Sequence, residues 1–257
     1  MGGCLKAGLL WALFLAGLTT QAFGWWQASE LPATADAAVE RYRAGDYASA
    51  ETLWKDAFEA AEAGPERGRL AYNLGNTAFR QDRFTEAVGW YTLGLRYLPR
   101  DADAGPNLEL ARAEAGLDPL DGGGLTDMLR GMVRRFTAAE ARWLALLGVL
   151  VLGLVLVGEA LRGGRGWWWA CLTALVCLPL FFAPWIRHAL EEPHLHLVLQ
   201  TGTGGRSEPR MDATNLMRFE AGDVVSVFDE MPGWARVARN DGNDVWVQDS
   251  ALFPLDR

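Results

Sequence analysis

The stretch AYNLGNTAFRQDRFTEAVGWYTLGLRYLP, residues 71–99, carries the pattern that decides the fold of the first half of the chain. Small and aromatic residues recur in it at helical spacing, and Pro99 ends the second helix because proline has no amide hydrogen to continue it. Its segment DRFTEAVGWYTLGL (82–95) aligns with GDYASAETLWKDAF (45–58) at an offset of 37 residues. This repetition predicts pairs of antiparallel helices in which small residues pack against aromatic ones.

The repeated segments resemble tetratricopeptide repeats (TPR), which are helical pairs with a period of about 34 residues. The resemblance implies an all-α solenoid over residues 25–121, in which a single helix over 103–117 caps the last exposed face. The structural positions that match the family pattern or recur between the two units are Ala50, Trp54, Leu74, Gly75, Ala87, Tyr91 and Pro99.

The resemblance also implies a ligand groove, because the first helices of TPR units hold extended peptides. A stripe with i, i+3, i+4 spacing runs along helix 69–80. The candidate partner-binding residues are Arg69, Tyr72, Asn73, Asn76, Phe79 and Arg80. Asn76 is suited to bond a ligand backbone, and Arg69 or Arg80 to pair with a carboxylate. In the alternative interpretation the arginines are solvated and the two aromatic residues pack inside the stack.

The net charge of −8 is divided unevenly along the chain. Residues 30–121 carry 17 acidic and 10 basic side chains, and residues 191–257 carry 12 and 6. Residues 122–190, between them, carry 3 acidic and 7 basic side chains and are strongly apolar. Acidic flanks argue against nucleic-acid binding, which needs a positive surface for phosphate. The cysteines lie only in apolar segments, so the flanks offer no disulfide framework.

The amino terminus has the layout of a secretory signal peptide. Lys6 precedes an apolar core at residues 7–18, and AFG (22–24) supplies small residues for cleavage. We therefore predict a signal peptide over 1–24, with an uncleaved anchor as the alternative.

Two long apolar runs predict a two-helix transmembrane hairpin over residues 141–186. The runs 143–161 and 166–186 are each long enough to cross a hydrocarbon core of about 30 Å at 1.5 Å per residue. Residues 122–140 are expected to form a linker and an amphipathic helix at the membrane surface. With the arginine-containing loop RGGR (162–165) on the cytoplasmic side, both flanking regions face the periplasm.

After residue 194 the hydrophobic period changes from 3.6 to 2. The segments HLVLQ (196–200), DVVSVF (223–228), WARVAR (234–239) and DVWVQ (244–248) read as short strands, and NDGN is a hairpin signal. About five such strands in residues 194–257 predict a small all-β barrel.

The segment GDVVSVFDEMPGWARVARNDGNDVWVQDSAL resembles bacterial SH3-like domains. Trp234 and Trp246 are candidates for stacking on a peptide or a cell-wall glycan, or alternatively for covering a small core. His188, His194 and His196 lie close in sequence but are too few for a metal site. We expect no metal and no cofactor.

The chain lacks GxSxG, HExxH and phosphate-loop motifs, so we do not expect an enzyme. The order of signal peptide, TPR, hairpin and SH3-like domain resembles the BatE-type proteins of aerotolerance operons. YNLGNTAFRQDRFTEAVGWYTLGL and FTAAEARW carry the likeness together with the SH3-like segment.

The BatE resemblance implies a multi-domain, multi-pass protein of the bacterial inner membrane, with its TPR and SH3-like modules in the periplasm. It implies a scaffold for protein–protein interaction in an envelope or oxidative-stress-tolerance complex. The implied partners are von Willebrand A-domain membrane proteins and a MoxR-type ATPase system. The alternative function is sensing or anchoring of peptidoglycan through the SH3-like domain.

Overall fold

The structure is a computed structural model that describes residues 33–119, 135–161, 194–238 and 244–255. It also describes the isolated positions 131–132, 168, 171, 174–175, 182–183 and 186. The predicted signal peptide, most of the predicted surface helix and most of the second apolar run lie outside the described residues.

Six α-helices occur in the described part of the chain. They are α1 Ala33–Arg43, α2 Tyr47–Ala60, α3 Pro65–Arg80, α4 Phe84–Tyr97, α5 Ala104–Glu114 and α6 Ala138–Leu161. Helices α1 to α5 pack in chain order, each against the next, and form one stack. Local sequence sets the ends: Asp46 accepts a hydrogen bond from the Ser49 amide at 3.2 Å to cap α2, and Pro65 occupies the first turn of α3.

The stack is held by close approach of small residues to rings and backbone. A Cβ atom at Gly75 would lie 2.6 Å from the Tyr91 ring, and one at Gly94 would lie 3.3 Å from the Gly68 carbonyl oxygen. Any side chain at Gly75 would displace the ring and separate α3 from α4. The glycines therefore set the distance between these two helices.

The predicted multi-domain membrane fold with a two-helix transmembrane hairpin is wrong. Among the described residues, no helix combines the length and the apolar character that a membrane crossing requires. The first apolar run lies in α6, which starts earlier, at Ala138, and has Glu140 in its first turn. Arg142 and Glu159 confine its uncharged part to residues 143–158, which is shorter than the roughly 20 apolar residues that a span needs.

The start of α6 is tied to the helical stack. Thr137 and Glu140 cap the helix reciprocally: the Thr137 amide donates to the Glu140 carboxylate at 3.0 Å, and the Glu140 amide donates to the Thr137 hydroxyl at 3.2 Å. The same carboxylate forms an ion pair with Arg100, just after α4.

The C-terminal region forms one antiparallel sheet of seven strands in the order β3-β2-β6-β5-β4-β1-β7. The strands are β1 Leu195–Val198, β2 Thr203–Arg206, β3 Asn215–Phe219, β4 Val224–Met231, β5 Trp234–Ala238, β6 Asp244–Gln248 and β7 Leu252–Pro254. We predicted about five strands. The sequence pattern missed β2 (TGGR), β3 (NLMRF) and β7 (LFP); β2 and β7 are too short to show an alternation.

Valines on alternate positions fill the core of the sheet. Val237, Val245 and Val247 are at most 1% exposed. Phe219 of β3 and Leu252 of β7 belong to the same buried cluster although their strands lie at opposite ends of the sheet order. The sheet therefore curls around one core.

The sheet docks on the stack through β1 and β7. The Phe253 ring packs edge-on against Trp90 of α4, with centroids 4.8 Å apart, and a Cβ atom at Gly89 would lie 2.6 Å from that ring. Arg96 donates to the Leu255 carbonyl oxygen at 3.3 Å. We call this contact the joint. It holds β7 and the residue that follows it against α4.

Candidate functional site

Helices α1, α3 and α5 contribute to one surface of the stack, which we call the α3 face. It comprises Tyr42, Arg69, Tyr72, Asn73, Asn76, Arg80 and Asn107. At its centre the Tyr91 hydroxyl donates to Asn76 Oδ1 at 2.8 Å. Asn107 Nδ2 lies 3.4 Å from the same oxygen and donates to the Tyr72 hydroxyl at 3.1 Å. These bonds hold the Asn76 amide in one orientation.

Burial keeps the Tyr91 phenol protonated. The residue is 2% exposed, and its burial raises the pKa of the phenol well above its usual value. Tyr91 therefore stays protonated and donates its hydrogen to Asn76. The Asn76 NH₂ group donates to no acceptor among the described residues, so it is left to bond a ligand.

The two predicted arginines lie on the exposed part of the α3 face. Neither Arg69 nor Arg80 forms an ion pair among the described residues. A hydrogen bond with Tyr42 is the main cause that raises the pKa of Arg80. Both guanidinium groups are exposed and accessible to an anionic group.

The remaining members of the predicted groove are less accessible. Tyr72 and Phe79 are half-buried and pack against the core of the stack, as in the alternative interpretation above. Phe79 contacts Phe84 edge-on at 5.2 Å between centroids. Asn73 is half-buried, and its carbonyl oxygen accepts from the Thr77 hydroxyl at 2.7 Å.

The structural repeat positions lie inside the stack. Ala50, Trp54, Leu74, Ala87 and Tyr91 are each at most 2% exposed. Gly75 is buried against Tyr91, and Pro99 is half-buried just after α4 ends at Tyr97.

Sequence reasoning missed two members of the α3 face, Tyr42 and Asn107. A signal for Asn107 was available, because Asn107-Leu108 follows Asn73-Leu74 at an offset of 34 residues. Tyr42 carries no such signal. It joins the α3 face because the fold brings its side chain from α1 within hydrogen-bond reach of Arg80 on α3, and its ring contacts Trp54 of α2 at 5.5 Å between centroids.

The opposite side of the stack carries an ion network that joins α2 to α4. Arg83 pairs with both Glu51 and Glu86, and Lys55 Nζ lies 2.6 Å from Glu51. Burial alone would raise the pKa of Glu51, but hydrogen bonds from Lys55 and Arg83 hold it below its ordinary value. Trp90 donates to Glu86 at 3.2 Å. The network borders a cleft of about 380 Å³ between the stack and the sheet.

The two predicted tryptophans of the sheet lie on its outer face. Strand β6 turns Val245 and Val247 inward, so Trp246 between them points outward and does not belong to the core. The Arg236 guanidinium lies over the Trp246 ring at 6.0 Å and over the Phe228 ring at 5.2 Å. Trp234 is half-buried and lines a separate cavity of about 360 Å³ at the end of the sheet.

The histidines of the sheet do not assemble a metal site in the described part of the chain, where no group of three or more potential ligands is found. His196 Nδ1 lies 3.0 Å from the His194 carbonyl oxygen. His188 lies outside the described residues.

Comparison with known proteins confirms the C-terminal part of this picture. A family model described as "Bacterial SH3 domain" matches residues 206–252, from the end of β2 to the start of β7. Such a domain is consistent with binding of proteins or of peptidoglycan. No curated protein matches the chain.

Proposed function

We propose that this protein is a non-catalytic scaffold that binds other proteins, and that its helical stack is a TPR-type module whose α3 face is the main binding surface. The observation that carries the proposal is the orientation of Asn76. Its side-chain oxygen is occupied by Tyr91 and Asn107, so its NH₂ group is available for a carbonyl oxygen of a bound chain.

The spacing on α3 suits an extended ligand. At 1.5 Å per residue, Arg80 lies about 6 Å and Arg69 about 10 Å along the helix axis from Asn76. Those distances correspond to about two and three residues of an extended chain at roughly 3.3 Å per residue. A segment whose backbone bonds Asn76 therefore places neighbouring side chains near either arginine.

The distribution of charge over the helical stack indicates which kind of partner segment the α3 face would bind. Residues 30–121 are acidic overall, with 17 acidic and 10 basic side chains, and would repel an acidic partner elsewhere. Arg69 and Arg80 place two exposed positive charges without an ion pair among the described residues on the α3 face. The partner we propose is an envelope protein with an extended segment that carries a carboxylate at one end of the contact.

The BatE resemblance makes von Willebrand A-domain proteins and a MoxR-type ATPase system the first partners to test. The proposal places the α3 face in the periplasm, in keeping with the predicted signal peptide. Labelling of a cysteine introduced at Gly64 by a reagent that does not cross the inner membrane tests this location. Gly64 suits the purpose because a Cβ atom there meets nothing within 4 Å.

Photo-crosslinking in cells tests the α3 face. A photoreactive residue at Asn73 should crosslink to a protein, and Arg80→Glu should reduce the yield at least about tenfold, since a like charge would face the partner carboxylate. Arg43→Glu is the matched control because Arg43 is exposed and pairs with Glu40 of its own helix at 3.0 Å. Equal yields for wild type and Arg80→Glu would refute the proposal.

Binding of peptidoglycan is the second candidate, and the bacterial SH3 match favours it. Purified muropeptides immobilised on resin would then retain the full chain, and Trp234→Ala would abolish retention. Retention of this kind, with no protein crosslink from Asn73, would replace the scaffold function by a cell-wall function.

A further inference from the structure

The outer face of the sheet ends in an acidic, aromatic surface that the α3 face does not include. We call it the Trp234 rim and define it by Asp229, Glu230, Met231, Trp234 and Asp249. Register brings Met231 directly opposite Trp234 in the β4–β5 hairpin. Glu230, Asp249 and both of these apolar side chains line the cavity of about 360 Å³.

The cavity has an apolar floor and a polar edge. Ala235 and Leu252 form the floor and are 3% and 8% exposed, whereas Met231 is 49% exposed at the opening. A long side chain can therefore lay an aliphatic stem on Met231 and Trp234 and hold its polar end among the rim residues.

The carboxylates of the rim are unpaired in the described part of the chain. Arg236 stands opposite Asp229 in the register of β4 with β5, but its guanidinium group pairs with Asp244 at 3.2 Å. Asp229, Glu230 and Asp249 therefore leave a local excess of negative charge beside an indole ring.

We propose that the Trp234 rim docks a lysine-bearing segment of a partner protein. The ammonium group binds between Glu230 and Asp249, and the methylene stem lies against Trp234 and Met231. Charge complementarity selects this occupant, because residues 191–257 carry 12 acidic and 6 basic side chains and attract cationic segments as a whole.

This inference goes beyond the proposed function. The α3 face favours a segment with a carboxylate, and the rim favours one with an ammonium group. The two surfaces share no residue, so either can fail without the other.

Fluorescence anisotropy with the full chain tests the rim. The probe is a fluorescein-labelled peptide of alternating glycine and lysine, and its counterpart has every lysine Nε-acetylated. We expect the lysine peptide alone to bind, and the double variant Glu230→Gln/Asp249→Asn to weaken binding about tenfold. The control Glu208→Gln/Asp212→Asn removes two acidic groups that both contact Arg210 on the same module.

The outcomes separate a docking site from general attraction. An equal loss in both double variants would show that only net charge acts and would overturn the proposal. Equal binding of the acetylated peptide would also overturn the proposal. Retention of muropeptides by a chain that has no affinity for the lysine peptide would overturn it as well. Trp234→Ala should also weaken binding, and circular dichroism of each variant verifies that the sheet is folded.

Discussion

The helical stack and the sheet fill their cores by different means. The stack places glycine and alanine against rings, as in the contact between Gly75 and Tyr91, so its geometry depends on single positions. The sheet places valines at alternate positions of neighbouring strands, so several similar side chains contribute to the packing of its core. The stack should therefore be the more sensitive of the two to a change of one methyl group.

The helical stack and the sheet also differ in where their polar side chains lie. The stack carries a connected network over Tyr72, Tyr91, Asn76 and Asn107 on one side and ion pairs on the other. The sheet keeps its charges at its outer face and rim. We expect substitutions in the stack to alter binding and stability together, and substitutions at the rim to alter binding alone.

Phe253→Ala should have the largest effect, because it empties the joint where the two modules meet. Loss of a buried phenylalanine costs about 3–5 kcal/mol. Thermal unfolding of the wild-type chain should show the stack and the sheet melting together, whereas the variant should show two transitions. Two separate transitions already in the wild type would mean that the joint does not couple the modules.

The substitutions Gly75→Ala and Gly105→Ala test two glycines of the helical stack that differ in the space around them. Gly75 lies against a neighbouring ring, whereas Gly105 has free space beside it. A Cβ atom at Gly75 would clash with Tyr91, whereas one at Gly105 meets nothing within 4 Å. We expect the first to lower the free energy of unfolding by about 1–3 kcal/mol and the second to raise it by about 0.5–1 kcal/mol. Urea titrations of both variants check the signs, and equal signs would contradict the packing described for α3 and α4.

Tyr91→Phe should lower the free energy of unfolding by about 1 kcal/mol, since it removes one hydrogen-bond donor to Asn76 and leaves the ring in place. The second expected result is weaker crosslinking from Asn73, because the Asn76 amide loses the bond that orients it. Urea titration measures the first effect and crosslink yield the second. An unchanged yield would show that Tyr91 supports packing but not binding.

Glu51→Gln should have the smallest effect and lower the free energy of unfolding by about 0.5–1 kcal/mol near neutral pH. The folded-state pKa of Glu51 is lowered, so its ion pairs stabilise the fold above the ordinary pKa of 4.5 and lose that contribution as pH falls through the folded value. The difference in melting temperature between wild type and variant should therefore shrink below about pH 4.5. A difference that stays constant down to pH 3 would show that charge is not its cause.

Helix and strand type follow from the sequence over most of the described chain. The repeated pattern of Trp54 and Tyr91 beside alanine and glycine predicts helical pairs, because such spacing places these residues on one side of a helix. The alternation of valines in β4 to β6 predicts strands, because residues two apart lie on the same face of a strand. The bacterial SH3 match confirms the predicted SH3-like domain. The predicted membrane hairpin was wrong, since no helix among the described residues is both long enough and apolar enough to cross a membrane.

The candidate sites were predicted only in part. Asn76, Arg69 and Arg80 could be chosen from helical spacing, because residues three and four apart lie on one side of a helix. Their environment could not, since Tyr42, Tyr91 and Asn107 come from three other helices. Trp234 could be named as a candidate, but the carboxylates beside it depend on the register of β4 with β5 and on the position of Asp249.

Local pattern by itself determined which residues turn inward in the repeated helices and in β4 to β6, because side-chain direction repeats with a fixed period along either element. Tertiary structure alone decided which inward and outward faces meet. Phe253 reaches Trp90 from 163 positions further along the chain, and no local period encodes a contact of that separation. Packing selects it, since glycine at position 89 leaves room for the Phe253 ring, which any Cβ atom there would meet at 2.6 Å.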